Sequence, residues 1–228
     1  MKDVNKVYIN IHGHRHANNI QEWVMMSLRA EDYPPEDMET GCYSVGFHPY
    51  SVGKADEQDT LNKVRLATEN PRVLAIGEIG LDRSIRASFD EQMRIFQAQV
   101  EIAEYTDLPV ILHVVGAFGE LMEFGKNHKP AVPMIIHGYN GDQRTVEELF
   151  REGFLISFGE AIAGENPNVI EALKAVPLEK LLLETDEGDL DIREIYQHAA
   201  SLKGIPADEL RLRIMENART HIGRFCQD

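Results

Sequence analysis

Short apolar runs of strand length recur along the chain and alternate with segments of helical periodicity. The runs lie at residues 7–11, 23–26, 43–47, 73–76, 110–112, 134–136, 154–157 and 181–183. Apolar residues within each run are mostly continuous rather than alternating, which is typical of parallel strands covered on both faces. The pattern therefore predicts eight buried strands.

Helical spacing of apolar positions predicts helices between most of these strands and after the last one. The predicted helices span residues 56–69, 89–105, 118–128, 142–151, 166–175, 191–203 and 208–225. In the longest pattern between strands, Phe89, Met93, Phe96 and Val100 recur at a spacing that places them on one helix face. Residues 30–41 contain adjacent prolines and many acids, and they predict a loop where a crossover helix would otherwise lie.

Strands that alternate with helices predict an α/β protein. Eight of them fit a distorted (β/α)8 TIM-type barrel with its active site at the C-terminal ends of the strands. We expect this barrel to be a single domain over residues 1–228. The structural alternative is a doubly wound open sheet, but the sequence has no Gly-x-Gly-x-x-Gly or Walker motif to support its nucleotide-binding form.

Charge and composition narrow the possible functions. The chain has 23 Lys and Arg against 38 Asp and Glu, which gives a formal charge of −15. This excess of acid argues against a broad electrostatic surface for nucleic acid, although bound divalent cations can supply positive charge locally.

Two cysteines exclude a disulfide-rich fold and a Cys-based zinc ribbon. The chain has neither a signal-peptide pattern nor an apolar stretch of about 20 residues, so we expect a cytoplasmic protein without a membrane partner.

Histidine and carboxylate side chains lie at the C-terminal ends of most of the predicted strands. They are His12 and His14 at the first strand, His48 at the third, Glu78 at the fourth, His113 at the fifth, His137 at the sixth and Asp186 at the eighth. Each of them alone has an ordinary structural explanation as a core histidine, a salt bridge or a helix cap. The strand ends of a barrel converge on one mouth, and a metal centre there explains all of them together.

The first of these groups has the spacing of a metal-binding pair. His12 and His14 lie two residues apart, so in a strand both side chains face the same way. His14 and His16 could form the pair instead, but His12 and His14 come directly after the apolar run. Imidazole and carboxylate ligands together accept Zn, Mn, Mg, Co or Ni, so the ligand types leave the metal open.

The expected centre holds two divalent ions that share Glu78. The ligands are His12, His14, Glu78 and Asp186 for one ion, and Glu78, His113 and His137 for the other. A shared carboxylate can hold two cations about 3.5–4 Å apart, and coordination lowers the pKa of a bound water toward about 7. The expected nucleophile is therefore a hydroxide, with Asp186 placed to act as general base.

Seven segments in order along the chain carry a family resemblance. They are residues 10–14, 46–49, 75–82, 108–113, 137–141, 153–159 and 181–186. In these segments the chain resembles the TatD family of metal-dependent hydrolases, within the amidohydrolase-like superfamily. The segment Ala-Ile-Gly-Glu-Ile-Gly-Leu-Asp, which contains Glu78, is similar to the most specific motif of that family.

The resemblance implies a distorted TIM barrel with one to three metal ions. It also implies phosphodiester hydrolysis, of the kind performed by a deoxyribonuclease with 3′–5′ exonuclease character on single-stranded DNA. The same six side chains are then the metal ligands, with Glu78 and Asp186 also catalytic. His48 is implied as a catalytic, substrate-side residue near the scissile group, or as a ligand of a third ion.

Three positions depart from the family pattern. Asn10 stands where the family has an acid, and Val115 stands where it has an arginine that contacts phosphate. Arg83 and Arg15 are the candidates to replace that arginine as substrate-binding residues. Glu187 adds a carboxylate, which would repel a phosphate, beside the expected centre. These departures motivate the alternative of a same-fold enzyme that acts on a small ester, lactone or amide.

Overall fold

The computed structural model describes residues 7–17, 21–35, 38 and 40–223. Its strands are β1 (Tyr8–Gly13), β2 (Glu22–Arg29), β3 (Cys42–Gly46), β4 (Val73–Asp82), β5 (Val110–Val115), β6 (Met134–Ile136), β7 (Leu155–Phe158) and β8 (Leu181–Leu183). Its helices are α1 (Glu57–Ala67), α2 (Phe89–Thr106), α3 (Phe118–His128), α4 (Gln143–Arg151), α5 (Pro167–Ala175), α6 (Ile192–Lys203) and α7 (Ala207–His221). Each predicted strand and helix therefore corresponds to an observed one.

The strands form one sheet in which their order follows the chain from β1 to β8. The described pairings are parallel, and a parallel bridge joins Gly13 of β1 to Asp186 beyond β8. A doubly wound sheet reverses its strand order at a switch point, so the sequential order excludes that alternative. The order is the one that a (β/α)8 barrel requires.

Three functional segments extend their strands beyond the apolar runs that predict them. β1 continues to Gly13, β4 to Asp82 and β5 to Val115, so His12, Glu78 and His113 lie within the C-terminal parts of their strands. The apolar residues after Glu78 extend β4, and its register against β5 shifts between Ile76 and Ile79. A fully buried strand can tolerate Glu78 only if the carboxylate is satisfied by polar partners.

Side-chain caps fix several helix starts. Asp56, Ser88, Asp142, Asn166 and Asp191 each accept a hydrogen bond from a backbone N–H in the first turn of the helix that follows. Between β2 and β3 the described residues include one short 3-10 turn (Ala30–Asp32) and no α-helix, as the prolines predict. The last helix ends at His221, and positions 224 and 225 of its predicted span lie outside the described residues.

The chain divides into two compact units. We call the first the terminal unit, which comprises the described residues up to Met26 and from His137 to Gly223. The second, the central unit, runs from Ser27 to Ile136. Each unit holds its own set of histidines and carboxylates. No helix of the described residues is long and apolar enough to cross a membrane.

Candidate metal centre

In the terminal unit, two histidines of the first motif converge on one carboxylate. Nε2 of His12 lies 3.5 Å from Oδ1 of Asp186, and Nε2 of His14 lies 3.3 Å from the same oxygen. The two imidazole rings are nearly perpendicular, with centroids 5.2 Å apart. The potential ligand atoms of all three residues lie within 4.8 Å of one another. This is the spacing at which one cation could contact all three.

Backbone hydrogen bonds between β1 and the segment after β8 set this arrangement. The N–H of Asp186 donates to the carbonyl of His12 (3.1 Å), and the N–H of His14 donates to the carbonyl of Asp186 (3.4 Å). Asp186 also has a left-handed backbone, with φ of 50°. Burial acts to raise the pKa of the Asp186 carboxyl, but hydrogen bonds from His12 and His14 outweigh it and hold the pKa below its ordinary value. The carboxyl is therefore ionised at neutral pH.

Glu184 supports the third histidine of the terminal unit. Its Oε1 lies 3.2 Å from Nδ1 of His137 and accepts a hydrogen bond from the backbone N–H of Gly138 at 2.7 Å. Because Nδ1 donates to the carboxylate, Nε2 of His137 carries the lone pair that a metal requires. The ring of His137 also lies close to that of His12, with centroids 4.4 Å apart.

The environment of the second oxygen of Glu184 indicates whether a cation fits in the terminal unit. The residue is fully buried, and Oε2 has no hydrogen-bond partner among the described residues. An ionised carboxylate in that position costs free energy unless a cation or a proton compensates it. His137, Glu184 and Asp186 form a group whose potential ligand atoms lie within 4.8 Å of one another. The donor chemistry of the terminal unit therefore fits a divalent metal.

Asn10 orients the end of β8 in place of the acid that the family pattern has. Its Oδ1 accepts from the N–H of Thr185 (3.0 Å), and its Nδ2 donates to Oγ1 of Thr185 (2.8 Å) and to Oε1 of Glu22 (2.9 Å). An aspartate at this position could not donate to Glu22, and the two carboxylates would repel each other. The amide of Asn10 is therefore compatible with a neighbouring carboxylate at Glu22, whereas the family's acid would not be.

In the central unit, two histidines flank Glu78. Oε2 of Glu78 lies 3.5 Å from Nε2 of His48 and 3.9 Å from Nδ1 of His113. Its other oxygen, Oε1, accepts a hydrogen bond from the hydroxyl of Ser27 at 3.0 Å. Glu78 is buried, and the potential ligand atoms of these three residues also lie within 4.8 Å of one another. The carboxylate therefore has polar partners, as its position inside β4 requires.

A buried acid also supports His113. Oδ2 of Asp82 lies 3.0 Å from Nε2 of His113, which leaves Nδ1 of the ring as the lone-pair nitrogen. Oδ1 of Asp82 accepts from both the N–H and the hydroxyl of Ser84. Burial acts to raise the pKa of the Asp82 carboxyl, but the bonds from Ser84 and His113 outweigh it and keep the pKa below its ordinary value. Each unit thus holds one histidine that is oriented by a buried carboxylate.

Glycine is required where β4 passes closest to His113. Gly80 has φ of 146°, and a Cβ atom there would collide with the backbone carbonyl oxygen of His113. Sterics therefore explain why the motif has a glycine two residues after Glu78. Any side chain at this position would push β4 and β5 apart at the site.

Two buried glutamines of α2 hold the backbone beside these groups. Gln99 accepts from the N–H of Phe47 (2.7 Å) and donates to its carbonyl (3.1 Å). Gln92 makes the same pair of bonds with the backbone of Asp82, at 2.8 and 3.0 Å. The glutamines are seven residues apart and therefore lie on one face of the helix. One fixes the residue before His48, and the other fixes the acid behind His113.

A hydrogen bond from the backbone determines the protonation of His48. The N–H of Tyr50 donates to Nδ1 of His48 at 3.0 Å, within a short 3-10 turn (Pro49–Ser51). The neutral ring then carries its hydrogen on Nε2, the nitrogen that faces Glu78. His48 is therefore presented to the site as a hydrogen-bond donor.

The two arginines expected to bind phosphate are engaged with protein acceptors. Arg83 is paired with Glu120, and its guanidinium lies 4.1 Å from the centroid of the Phe89 ring. Arg15 donates to the backbone carbonyls of Glu187 and Gly188 and lies 3.6 Å from a carboxylate oxygen of Asp189. Neither arginine contacts the histidines of its unit in any described hydrogen bond or ion pair.

The structure brings the sequence-predicted ligands together in two sets. His12, His14, His137 and Asp186 lie in the terminal unit, and Glu78, His113 and His48 lie in the central unit. His16, the alternative partner of His14, is exposed and belongs to no metal-compatible group of the described residues.

Sequence reasoning missed Glu184, Asp82 and the two glutamines. The sequence offered only one signal for these residues, which is the presence of a polar residue within or next to a buried segment. Gln92 and Gln99 are polar residues within the apolar face of α2, and Glu184 and Asp82 extend buried strand segments.

The chain is similar in sequence to known metal-dependent hydrolases and nucleases. A model of the family "TatD related DNase" matches residues 18–223. An uncharacterized metal-dependent hydrolase, YjjV, of Escherichia coli K12 is 28% identical over 225 residues, covering 90% of this chain and 83% of that protein. The 3′-5′ ssDNA/RNA exonuclease TatD of Erwinia amylovora is 31% identical over 204 residues, covering 80% of this chain and 78% of that enzyme.

A solved structure confirms the predicted fold class. The crystal structure of YjjV from Escherichia coli, a TatD homolog, superposes with a TM-score of 0.84 at 23% sequence identity and covers 95% of this chain and 98% of its own. A TatD family hydrolase from Entamoeba histolytica has a TM-score of 0.75 at 16% identity, covering 96% of this chain and 99% of its own. The distorted (β/α)8 TIM-type barrel is therefore the fold of this protein.

Proposed function

The chain belongs to the TatD-related DNase family, and on that premise we propose that it is a metal-dependent hydrolase that trims single-stranded DNA from its 3′ end. The observation that carries the proposal is the pair of acid-supported histidines. His113 on Asp82 and His137 on Glu184 each keep one nitrogen available beside further carboxylates. Histidines oriented in this way by a carboxylate are typical of metal ligands.

We propose two divalent ions as cofactors, held by the set that the sequence motifs indicate. His12, His14, Glu78 and Asp186 would hold one ion, and Glu78, His113 and His137 would hold the other. Glu78 would serve both ions, because one carboxylate can hold two cations. When bound, such ions polarise a phosphodiester and lower the pKa of water to near neutrality.

The protein's own side chains account for the proton movements of hydrolysis. A water that attacks phosphorus must lose a proton, and the leaving oxygen must gain one. Asp186 is ionised and partly exposed, so its carboxylate is free of a proton and accessible to the attacking water. The proton that Asp186 accepts from the water can then pass to the leaving oxygen. His48 carries its hydrogen on Nε2 and is placed to hydrogen-bond to an oxygen of the substrate while keeping that hydrogen. Asp186 thus has the role of a general base, and His48 that of a hydrogen-bond donor.

The alternative substrate is a small ester, lactone or amide. It is favoured by the absence of an arginine at Val115 and by the pairing of Arg83 with Glu120, because a carbonyl substrate needs no phosphate clamp. The carboxylate of Glu187 would also repel a phosphate but not a neutral ester. The family membership favours the phosphodiester.

A comparison of substrates tests the proposal. Metal-loaded protein is incubated with single-stranded DNA, a p-nitrophenyl phosphodiester and a panel of esters and lactones. We expect turnover of the phosphodiesters, with a loss of at least about 100-fold in His12→Ala. His16→Ala provides a matched control, since His16 is an exposed histidine in the same segment. Hydrolysis of esters alone, or equal activity in His12→Ala, would overturn the proposal.

A further inference from the structure

An exposed aromatic side chain lies directly beside the histidines of the central unit. The ring of Tyr50 contacts that of His48 (centroids 4.8 Å apart, 72° between planes) and that of His113 (5.8 Å, 69°). Both contacts are close to perpendicular, and Tyr50 remains 40% exposed. What distinguishes Tyr50 from other exposed rings is its contact with two candidate site histidines, which leaves a flat aromatic face beside them.

A second exposed apolar residue continues the same surface. Val115 follows His113 by two residues in β5, so the two side chains lie on the same face of the strand. Val115 is also 40% exposed. Tyr50 thus contacts the ring of His113, and Val115 shares a strand face with His113. We call this pair the apolar rim.

The apolar rim lies where a nuclease would be expected to display positive charge. The nearby Arg83, whose N–H donates to the carbonyl of Val115, directs its guanidinium to Glu120 and Phe89. Stacking of a nucleobase on an aromatic ring is independent of charge and contributes substantially to the binding of single strands. An acidic protein could thus hold a single strand by its bases rather than by its phosphates.

We propose that Tyr50 is a substrate-binding residue that stacks on a nucleobase next to the scissile phosphate, with Val115 completing the apolar subsite. This proposal rests on the proposed function and specifies how the substrate is recognised. Single-stranded chains with unpaired bases are the class that such a subsite takes. A duplex, whose bases are stacked on one another, is excluded.

The test combines a protein variant with a substrate that lacks one base. KM and kcat are measured for Tyr50→Ala and Tyr50→Phe on a single-stranded oligonucleotide, and on versions with one abasic position among the last three at the 3′ end. We expect Tyr50→Ala to raise KM at least about fivefold on the complete strand, whereas Tyr50→Phe retains the wild-type value. At one abasic position, Tyr50→Ala and the wild type should have equal KM values, because the partner of the ring is already missing.

Two controls separate stacking from structural support of His48. Tyr105→Ala removes a tyrosine that is 92% exposed at the end of α2, and it should leave KM unchanged. The metal content of Tyr50→Ala should match that of the wild type. An equal KM effect on complete and abasic strands, or a loss of metal that accounts for the whole defect, would overturn the stacking role. Failure of the wild type to cleave any of these strands would instead overturn the proposed function.

Discussion

Asp82 and His113 are joined through Oδ2 and Nε2 at 3.0 Å, so that the opposite nitrogen of the ring, Nδ1, faces Glu78. In the terminal unit, Glu184 contacts Nδ1 of His137, which leaves Nε2 available instead. The two histidines are thus held as opposite tautomers by buried carboxylates. The choice of nitrogen is a property of the supporting acid, and it can be tested by changing that acid.

Replacing Asp82 by asparagine should weaken metal binding without removing a proposed ligand. The amide can still contact His113 but no longer stabilises the Nε2–H tautomer through a negative charge. We expect about a 10- to 100-fold loss of metal affinity in a competition titration with a chelating dye. Asp90→Asn, on the first turn of α2, is the matched control and should bind metal as the wild type does. Unchanged affinity in Asp82→Asn would refute the supporting role.

Replacing Glu184 by glutamine should have opposite effects on the metal-free and metal-bound protein. The substitution removes a buried charge whose Oε2 has no partner among the described residues, so the free energy of unfolding of the metal-free protein should rise. Metal affinity should fall, because His137 loses its anionic partner. Chemical denaturation with and without metal measures both effects, with the exposed Glu171→Gln as control. Destabilisation of the metal-free form would show that Glu184 has a purely structural role.

The replacement of Gln99 by leucine should destabilise the fold through the backbone of Phe47. The side chain satisfies both the N–H and the carbonyl of that buried residue, and leucine would leave both groups without a partner. We expect a loss of about 2–4 kcal/mol in the free energy of unfolding, measured by urea denaturation. Gln97→Leu changes an exposed glutamine of the same helix and should alter stability by less than about 0.5 kcal/mol. Similar losses in both variants would contradict this account.

Lys203 should make stability depend on pH above neutrality. Burial lowers the pKa of its amine from 10.5 to about 8, against a smaller opposing effect of Glu179. Between these two values the unfolded chain binds more protons than the folded protein, so the free energy of unfolding rises with pH across that window. Lys203→Met should lack this rise, whereas the exposed Lys54→Met should retain it. An identical pH profile for Lys203→Met and the wild type would rule out this lysine as the source.

The sequence predicted the strands and helices because each has its own pattern of burial in this fold. The β-strands are buried at nearly every position and appear as continuous apolar runs. The regular apolar face of α2 identified its span to within one residue. The apolar runs alone are shorter than β4 and β5, because the chain continues through Glu78 and His113 in extended form, where polar residues are satisfied by tertiary partners. Local pattern contains no information about such partners.

The supporting residues of the candidate site were harder to predict for the same reason. Asp82 and His113 are 31 residues apart, and His137 and Glu184 are 47 apart. Nothing in either segment indicates that the two will meet. Gln92 and Gln99 were also missed, but for them the sequence does contain a signal. Two polar residues seven apart interrupt a buried helix face, and such an interruption indicates a specific polar partner.

The central claim, a metal-dependent nuclease that depends on Glu78, is tested most directly by metal content and DNA trimming measured on the same preparations. The wild type, Glu78→Ala and the exposed control Glu69→Ala are loaded with manganese, assayed for bound metal, and given 5′- or 3′-labelled single-stranded DNA. We expect two ions per chain and a ladder of progressively shorter 5′-labelled products in the wild type and in Glu69→Ala. Glu78→Ala should lose both the metal and the ladder. Trimming by Glu78→Ala at the wild-type rate, or by metal-stripped wild type, would contradict the account.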